Sequence, residues 1–219
     1  MILIGMFDSP FVRRVAVSMK LLGLSFEHYN WSVGKDFDRI RQYNPVGRVP
    51  ALVLDDGEAL IESAAILDYL DELAGDELAG PGRALLPRAG AERRDALRIM
   101  ALTSGAAEKG VAQLFEYVFR PEDKRHEPWI ARCRTQMQGA LAELERICQA
   151  RGPGKWLVAD RLTQADITVT CIFTYLTDAL ALTPERAPYP AIRALAARCE
   201  ALPEFQATRL AFVAPIPAK

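Results

Sequence analysis

The chain has 219 residues, of which 50% are hydrophobic, so it can bury a sizeable core as one large domain or two small ones. Its 27 basic residues nearly balance its 28 acidic residues, which excludes recognition of nucleic acid or of an anionic membrane by net charge. The sequence also lacks the run of roughly 18 apolar residues that a membrane span needs, and its start does not resemble a signal peptide. We therefore expect no nucleic-acid partner and no membrane partner.

The first third of the chain alternates short apolar runs with amphipathic stretches. In chain order, the pattern predicts a strand at Ile2 to Phe7, a helix at Pro10 to Gly23, a strand at Phe26 to Trp31, strands at Ala51 to Leu54 and Ala59 to Ile61, and a helix at Ala64 to Ala74. A polar segment with room for a short helix precedes the third strand. Asp56-Gly57 is typical of a tight hairpin turn between the last two strands.

This order of elements predicts a mixed sheet of the thioredoxin-like type. A helical crossover makes the first pair of strands parallel, and a tight turn makes the last pair antiparallel. We therefore predict an α/β thioredoxin-like domain over residues 1–78.

The rest of the chain has a helical pattern. Residues 79–88 are rich in Gly, Pro and Leu without periodicity, which indicates a linker. The predicted helices of the second domain, residues 89–219, are Ala89 to Phe119, Pro128 to Ala150, Gln164 to Leu182 and Pro190 to Ala201. We expect an all-α bundle.

The cysteines and histidines of the chain show no metal-site or disulfide pattern. Four cysteines, Cys133, Cys148, Cys171 and Cys199, lie far apart in helical sequence, without a Cys-x-x-Cys pair or a histidine at metal-ligand spacing. We expect reduced thiols, a cytoplasmic protein and no metal. His28 and His126 stand alone, and we interpret them as structural or exposed rather than catalytic.

Ser9-Pro10 opens the first helix directly after the first strand. Serine is a favoured N-cap, and proline is favoured at the next position, so helix capping accounts for both residues. The second interpretation is chemical, because a hydroxyl at the positive end of a helix can donate a hydrogen bond to a bound thiolate and lower its pKa.

Val49-Pro50 precedes the third strand, where proline is an ordinary first residue. If this peptide bond were cis, the Val49 N–H and C=O would face outward and could pair with an extended peptide ligand. Recognition there would use backbone groups and require no particular side chain.

Glu62-Ser63 opens the third helix. One interpretation is that Ser63 is the N-cap and Glu62 is solvated. The other is that the helix end and the Ser63 hydroxyl hold a carboxylate while Glu62 faces an ammonium. Together these groups suit the zwitterionic end of an α-amino acid.

Three segments, in this order, resemble the glutathione S-transferase superfamily, and the resemblance extends over almost the whole chain. They are Ser9-Pro10-Phe11-Val12-Arg13-Arg14, Asn44 to Leu52 with Val49-Pro50 at its centre, and Leu60-Ile61-Glu62-Ser63-Ala64-Ala65-Ile66. The first is similar to the start of the first helix in bacterial members, the second to the loop before the cis-proline, and the third to the glutathione helix.

The resemblance implies a glutathione site in the first domain. Val49 would pair with the cysteinyl backbone of glutathione, Glu62 and Ser63 would hold the γ-glutamyl end, and Ser9 would be the catalytic, thiolate-activating hydroxyl. The implied site also takes in Pro50 and Phe11, with Arg48 or Lys35 near the glycine carboxylate. Both cations also suit a solvated surface position. Glutathione is then a co-substrate, and no separate cofactor is implied.

The second domain carries a further match. Thr163-Gln164-Ala165-Asp166 is a capping box with Asp in place of Glu, to which we give a structural role; the helix that follows is apolar on most sides, which predicts burial. The aromatic side chains Phe115, Tyr117, Phe119 and Trp129 suit either a pocket for an apolar co-substrate or the core, and we favour the core.

Two departures limit the functional transfer. Residue 9 is Ser rather than Cys, which removes the nucleophile of a mixed-disulfide reductase, and Met6-Phe7 does not match the tyrosine-activated classes. The Ser-Ser-Cys signature of the maleylacetoacetate isomerases is also absent.

The leading hypothesis is a homodimeric transferase that conjugates glutathione to a small electrophile. The alternatives are a binding module similar to the stringent starvation protein, or a glutathione-dependent peroxidase or dehalogenase.

Overall fold

A computed structural model describes residues 1–76, 84–182 and 188–214. These residues form two units, one made of residues 1–76, 84–86 and 202–214 and the other of residues 87–182 and 188–201. The strands are β1 (Ile2–Ile4), β2 (Glu27–Tyr29), β3 (Ala51–Val53) and β4 (Ala59–Ile61). The helices are α1 (Pro10–Leu22), α2 (Phe37–Ile40), α3 (Ser63–Asp76), α4 (Gly90–Phe119), α5 (Glu127–Arg151), α6 (Gln164–Leu180), α7 (Pro190–Glu200) and α8 (Pro203–Gln206).

The first unit is built on a mixed sheet with the strand order β2-β1-β3-β4. β1 runs parallel to β2, β3 runs antiparallel to β1, and β4 runs antiparallel to β3. The first pair is parallel because α1 returns the chain to the same end of the sheet, and the last pair is joined through Asp56 and Gly57. The predicted thioredoxin-like order is confirmed.

β1, β2 and β3 are shorter than predicted, β4 has the predicted bounds, and α3 is longer than predicted. β1 ends at Ile4 rather than Phe7, and β2 covers only Glu27–Tyr29. The Gly5 N–H still bonds the Tyr29 C=O, so pairing ends at that point as the chain turns toward α1. Gly75 does not stop α3, because a helix tolerates one glycine at a modest cost.

Hydrophobic side chains bury the sheet. Ile4, Ala51 and Val53 form a cluster with Ile40 of α2 on one face. Alternation along the strands sends Leu3 and Leu52 to the opposite face, and both are fully buried. α1 packs against α3, with its Val12, Val15 and Met19 side chains fully buried. The sheet therefore holds the start of α1 and the start of α3 in fixed positions.

The C-terminal residues described, 202–214, pack with this first unit. The Arg13 guanidinium donates to the Phe205 C=O at 3.0 Å, and Phe205 itself is fully buried. The Val213 N–H donates to Asp8 at 3.0 Å. The sequence prediction assigned these residues to the helical domain, since it could not reveal a contact between residues so far apart in the chain.

The first half of the predicted linker, residues 79–83, lies outside the described residues. Its described part begins at Ala84. The N–H groups of Leu85 and Leu86 both donate to Asp71 of α3, at 2.6 and 3.1 Å, and both leucine side chains are buried. This segment is therefore bonded to the first unit.

The second unit is a helical bundle, as predicted. α4 packs against α5 and α6, and α7 packs against α5 and α6. Glu145 of α5 accepts the N–H groups of Ala191 and Ile192 at 3.0 Å each, which satisfies free donors at the start of α7. No helix within the described ranges is long and apolar enough to cross a membrane.

α6 is buried on most sides, which confirms the prediction from its apolar pattern. Thr163 and Asp166 form the predicted capping box at its start. Asp166 accepts the Thr163 N–H at 2.9 Å, the Thr163 hydroxyl at 2.8 Å and the Leu157 N–H at 2.8 Å. The box therefore also fixes the loop that leads into the helix.

Candidate functional site

A cleft of about 220 Å³ lies in the first unit, where the loop before β3 meets the starts of α1 and α3. It is lined by Phe11, Asn44, Val46, Arg48, Val49, Pro50, Ile61, Glu62 and Ser63. Most of the residues that the sequence prediction assigned to a glutathione site thus share one cleft. Ser9 and Lys35 are not among its lining residues.

Gly5 allows the walls of the cleft to come together. A Cβ atom at this position would lie 2.5 Å from the Val12 side chain of α1 and 2.8 Å from the Cβ of Val49. Both distances are far shorter than a van der Waals contact, and the φ of Gly5 is 129°, which disfavours any other residue. Glycine here permits α1 and the Val49 loop to meet at the end of β1.

The Val49-Pro50 peptide bond is cis, the arrangement on which the peptide-recognition interpretation depends. Among the described residues, no backbone hydrogen bond involves the Val49 N–H or C=O. Asn44 holds the loop on either side, because its Nδ2 donates to the Arg48 C=O at 2.8 Å and its Oδ1 accepts the Val46 N–H at 3.0 Å. The loop is therefore fixed by Asn44 while Val49 keeps a backbone donor and acceptor for a ligand.

Glu62, and not Ser63, is the N-cap of α3. Glu62 has a φ of 70°, its C=O accepts the Ile66 N–H at 3.0 Å, and its Oε1 accepts the Ala64 N–H at 3.2 Å. The interpretation of Ser63 as the cap is wrong, because α3 already begins at Ser63. The left-handed backbone at Glu62 places its carboxylate over the end of the helix.

Ser63 lies beneath Glu62 and is 1% exposed. Its hydroxyl accepts a hydrogen bond from Arg14 Nη2 at 2.6 Å and donates to Glu62 Oε1 at 3.0 Å. Arg14 comes from α1, is 2% exposed, and lies with its guanidinium 5.6 Å from the centre of the Phe11 ring. These residues connect the two helices that open onto the cleft.

The charge of Glu62 is favoured by its surroundings. Burial alone would raise the pKa of this carboxyl, but the Ala64 N–H, the Ser63 hydroxyl and the positive charges of Arg14 and Arg48 together lower it below its ordinary value. Glu62 is therefore ionised at neutral pH and offers a negative charge beside the cleft. Such a group can bind an ammonium.

The sequence prediction gave no role to Arg14 or Asn44, although both lie in segments that resemble the glutathione S-transferase superfamily. The available signals were a charged side chain inside the apolar first helix and an Asn-Pro dipeptide that favours a turn. The charge of Arg14 does not identify a partner, because Arg14 bonds a residue 49 positions away, whereas Asn44 bonds residues only two and four positions away.

Ser9 is the N-cap of α1, with its Oγ 3.5 Å from the Val12 N–H. A hydroxyl can accept one hydrogen bond and donate another, and no described residue accepts the Ser9 proton. Capping and thiolate binding are therefore compatible at Ser9. Phe11, which lines the cleft, follows two positions later.

The remaining residues considered in the sequence are two exposed cations and two histidines. Lys35 is exposed after β2, and Arg48 is exposed at the edge of the cleft. His28 bonds the Gly5 C=O at 2.7 Å and stacks on Phe7, while the His126 N–H donates to Glu116. In the part of the chain that the structure describes, no group of His, Cys, Asp and Glu side chains is placed to hold a metal ion.

The favoured core assignment of four aromatic residues in the second unit is wrong. Phe115, Tyr117, Phe119 and Trp129 are 37% to 40% exposed. Phe115 and Phe119 pack edge to face, with ring centres 4.9 Å apart, while cations lie over the other rings, Lys109 on Trp129 and Arg125 on Tyr117. The alternative, that these rings contact a co-substrate, stays a prediction.

Comparison with known proteins agrees with the fold. Residues 3–78 match the model of the glutathione S-transferase N-terminal domain, and residues 127–198 match that of the C-terminal domain. The chain is 30% identical over 174 residues to the uncharacterised GST-like protein YibF of Escherichia coli (strain K12), covering 80% of this chain and 81% of that protein.

Solved structures show the same similarity over nearly the full chain. A glutathione S-transferase from Methylobacterium radiotolerans in complex with glutathione sulfonate has a TM-score of 0.84 and 30% identity, covering 100% of this chain and 95% of that one. A glutathione transferase family member from Pseudomonas fluorescens Pf-5 with bound glutathione has a TM-score of 0.80 and 30% identity, covering 95% and 98%. The chain belongs to the glutathione S-transferase superfamily.

Proposed function

We propose that the protein is a glutathione transferase that binds glutathione in the cleft of the first unit and conjugates its thiolate to a small, hydrophobic electrophile. The observation that carries the proposal is the cleft, where the free backbone groups of Val49 lie beside the ionised Glu62 and the start of α3. The related structures solved with glutathione or glutathione sulfonate support the choice of ligand.

Each end of glutathione has a proposed partner in the first unit. The Val49 N–H and C=O pair with the cysteinyl backbone, as an added strand pairs with a sheet edge. Glu62 binds the γ-glutamyl ammonium, and the start of α3 with Ser63 binds the γ-glutamyl carboxylate. Arg48 or Lys35 lies near the glycine carboxylate, where an exposed cation adds little affinity.

Ser9 is the proposed thiolate-activating residue. Its hydroxyl donates to the glutathione sulfur at the positive end of α1, which lowers the thiol pKa and raises the fraction of thiolate. With a chlorinated nitroaromatic, the sulfur attacks the ring carbon that carries chlorine; the C–S bond forms, the C–Cl bond breaks, and chloride leaves.

Glutathione binding is measured by calorimetry, and turnover is measured with a chlorinated nitroaromatic, for wild type, Ser9→Ala and Ser9→Thr. Ser9→Ala is expected to bind glutathione normally, to lose about tenfold or more in kcat, and to shift the pH profile of kcat toward alkaline pH. Ser9→Thr keeps the hydroxyl and serves as the control. If Ser9→Ala matched wild type in rate and pH profile, Ser9 would be a cap alone.

The same measurements separate the alternatives. Absence of glutathione binding by the wild type would refute the transferase proposal. Binding without turnover of conjugation, peroxide or dehalogenation substrates would favour the non-catalytic binding module. We also propose a cytoplasmic homodimer with a detoxifying role, and light scattering during size-exclusion chromatography tests the oligomeric state.

A further inference from the structure

Arg14, Ser63 and Glu62 form a chain of hydrogen bonds in which the position of one proton follows from the chemistry of the groups. A guanidinium has only donors, so the 2.6 Å contact makes the Ser63 oxygen an acceptor from Arg14. An ionised carboxylate has only acceptors, so the 3.0 Å contact makes Ser63 the donor to Glu62. The single hydroxyl proton of Ser63 is therefore engaged by Glu62 in this structure.

This arrangement means that the contact of Ser63 with a ligand carboxylate and the contact of Glu62 with a ligand ammonium are not independent. A hydroxyl that donates to Glu62 cannot at the same time donate to a ligand carboxylate. To bind that carboxylate, Ser63 has to turn its proton away from Glu62. Glu62 is exposed, so water can replace the lost hydrogen bond, but a ligand ammonium replaces it with a charge-assisted one.

We propose that Arg14 is a positioning residue that holds the Ser63 oxygen in place, so that the Ser63 O–H turns from Glu62 to the ligand carboxylate when the ligand ammonium replaces it as the donor to Glu62. This inference rests on the proposed function, and it adds a mechanism of specificity. Recognition of the two charges of an α-amino acid becomes one coupled event.

Burial makes Arg14 suited to this role. Arg14 and Ser63 are 2% and 1% exposed, so water competes little for the Ser63 lone pair. A charge-assisted hydrogen bond from a guanidinium keeps the oxygen fixed while its O–H bond rotates between two acceptors. The positive charge of Arg14 also favours the ionised state of Glu62, so the acceptor remains available at neutral pH.

The coupling between recognition of the ammonium and recognition of the carboxylate is measured by calorimetry with four ligands. These are glutathione, glutaryl-Cys-Gly without the ammonium, 4-aminobutyryl-Cys-Gly without the carboxylate, and butyryl-Cys-Gly without either. In the wild type, we divide the product of the two separate increases in Kd by the increase on losing both charges, and we expect a ratio of about ten. This ratio is the coupling factor.

Arg14→Met removes the donors while keeping a long apolar side chain. We expect its coupling factor to fall to about one, because Ser63 is no longer held. Arg13→Met is the matched control, since Arg13 is the neighbouring residue, is equally buried, and donates instead to the Phe205 C=O. Arg13→Met is expected to keep the wild-type coupling factor, which a general loosening of α1 would not allow.

Two further variants decide the question if Arg14→Met does not fold. Ser63→Ala removes the hydroxyl, so its coupling factor is expected to fall to about one. Arg14→Lys retains a cationic donor and is expected to keep part of the wild-type coupling. A wild-type coupling factor in Arg14→Met or in Ser63→Ala would overturn the inference while leaving the proposed function intact. A wild type that does not bind glutathione would overturn both.

Discussion

Asp8, the residue before Ser9, is a half-buried carboxylate that joins the start of α1 to the C-terminal segment. Its Oδ2 accepts the Val213 N–H at 3.0 Å. Burial raises the pKa of Asp8 above its ordinary value of 3.8, although hydrogen bonds from the backbone of Val213, Ser9 and Asp8 itself act in the opposite direction. The protonated form of Asp8 is therefore relatively favoured in the folded state.

Substitution Asp8→Asn tests this assignment. A raised pKa means that Asp8 contributes stability below pH 3.8 and that this contribution is lost as pH rises through the folded-state pKa. Asn imitates the protonated acid and still accepts the Val213 N–H. Asp8→Asn should be at least as stable as wild type at pH 7 in urea denaturation, and the difference should shrink below pH 4. The assignment would be contradicted if the wild type had the higher free energy of unfolding at pH 7 and this advantage disappeared in acid.

The start of α6 shows how one buried side chain organises an element. Asp166 is 0% exposed and accepts three hydrogen bonds, two from Thr163 and one from the Leu157 N–H. Burial raises the pKa of Asp166, while these donors lower it. The capping box therefore gains its importance from burial, which leaves its donors no access to water if the carboxylate is removed.

Asp166→Ala should lower the free energy of unfolding by about 2 to 4 kcal/mol, because it leaves buried donors unpaired. Urea denaturation followed by circular dichroism measures the change. The control is Asp160→Ala in the preceding loop, where the side chain is exposed and the expected change is within about 0.5 kcal/mol. Equal effects of the two substitutions would show that the buried network does not stabilise the bundle.

Two glycines in the interior of helix α4, Gly105 and Gly110, have different surroundings. A Cβ on Gly110 would lie 2.2 Å from Leu176 Cδ2 of α6 and 3.4 Å from Met137 Sδ of α5, so the missing side chain allows close helix packing. A Cβ on Gly105 would meet nothing within 4 Å. The same substitution therefore separates helix propensity from packing.

Gly105→Ala should stabilise the protein by up to about 1 kcal/mol, through the higher helix propensity of alanine. Gly110→Ala gains the same propensity but overpacks the bundle, so it should be about 1 to 3 kcal/mol less stable than Gly105→Ala. Thermal denaturation of the two variants gives the comparison. If both variants were stabilised equally, the contact between α4 and α6 would be looser than described.

All four cysteines of the molecule are reduced and buried in the second unit. Burial raises the pKa of Cys148 to about 12 and the pKa of Cys199 to about 12. Because thiolates are the reactive species, the native protein should react very slowly with an aromatic disulfide reagent at pH 8. After denaturation, all four thiols should titrate. A fast reaction of the native protein would show that the bundle opens locally.

The succession of strands and helices in the first unit was predictable because each element carries its own pattern. Alternating short runs marked the strands, helical spacing marked α1, and Asp56-Gly57 marked the turn between β3 and β4. Strand ends were less predictable, since Phe7 is as apolar as Ile4 but lies beyond the point where pairing stops. Pairing depends on a partner strand, which local sequence does not contain.

The cleft was predictable where a residue acts through its own backbone or helix end. Val49-Pro50, Glu62 and Ser63 were each identified from local motifs, and the structure places them together. The role of Arg14 was not, because its partner lies 49 residues away, whereas the hydrogen bonds of Asn44 are local and were missed. The exposure of Phe115 and Trp129 was also missed, since an aromatic residue has the same sequence signal inside a core and on a surface.

By itself, the sequence determined the order of the elements, the mixed sheet, the helical second unit and the family to which the chain belongs, since periodicity and short motifs are local properties. Only the tertiary structure decided that Glu62 caps α3, that Ser63 donates a hydrogen bond to Glu62 and accepts one from Arg14, and that residues 202–214 pack with the first unit. The physical reason is that hydrogen bonds and burial depend on distance in space, whereas a motif reports only distance along the chain.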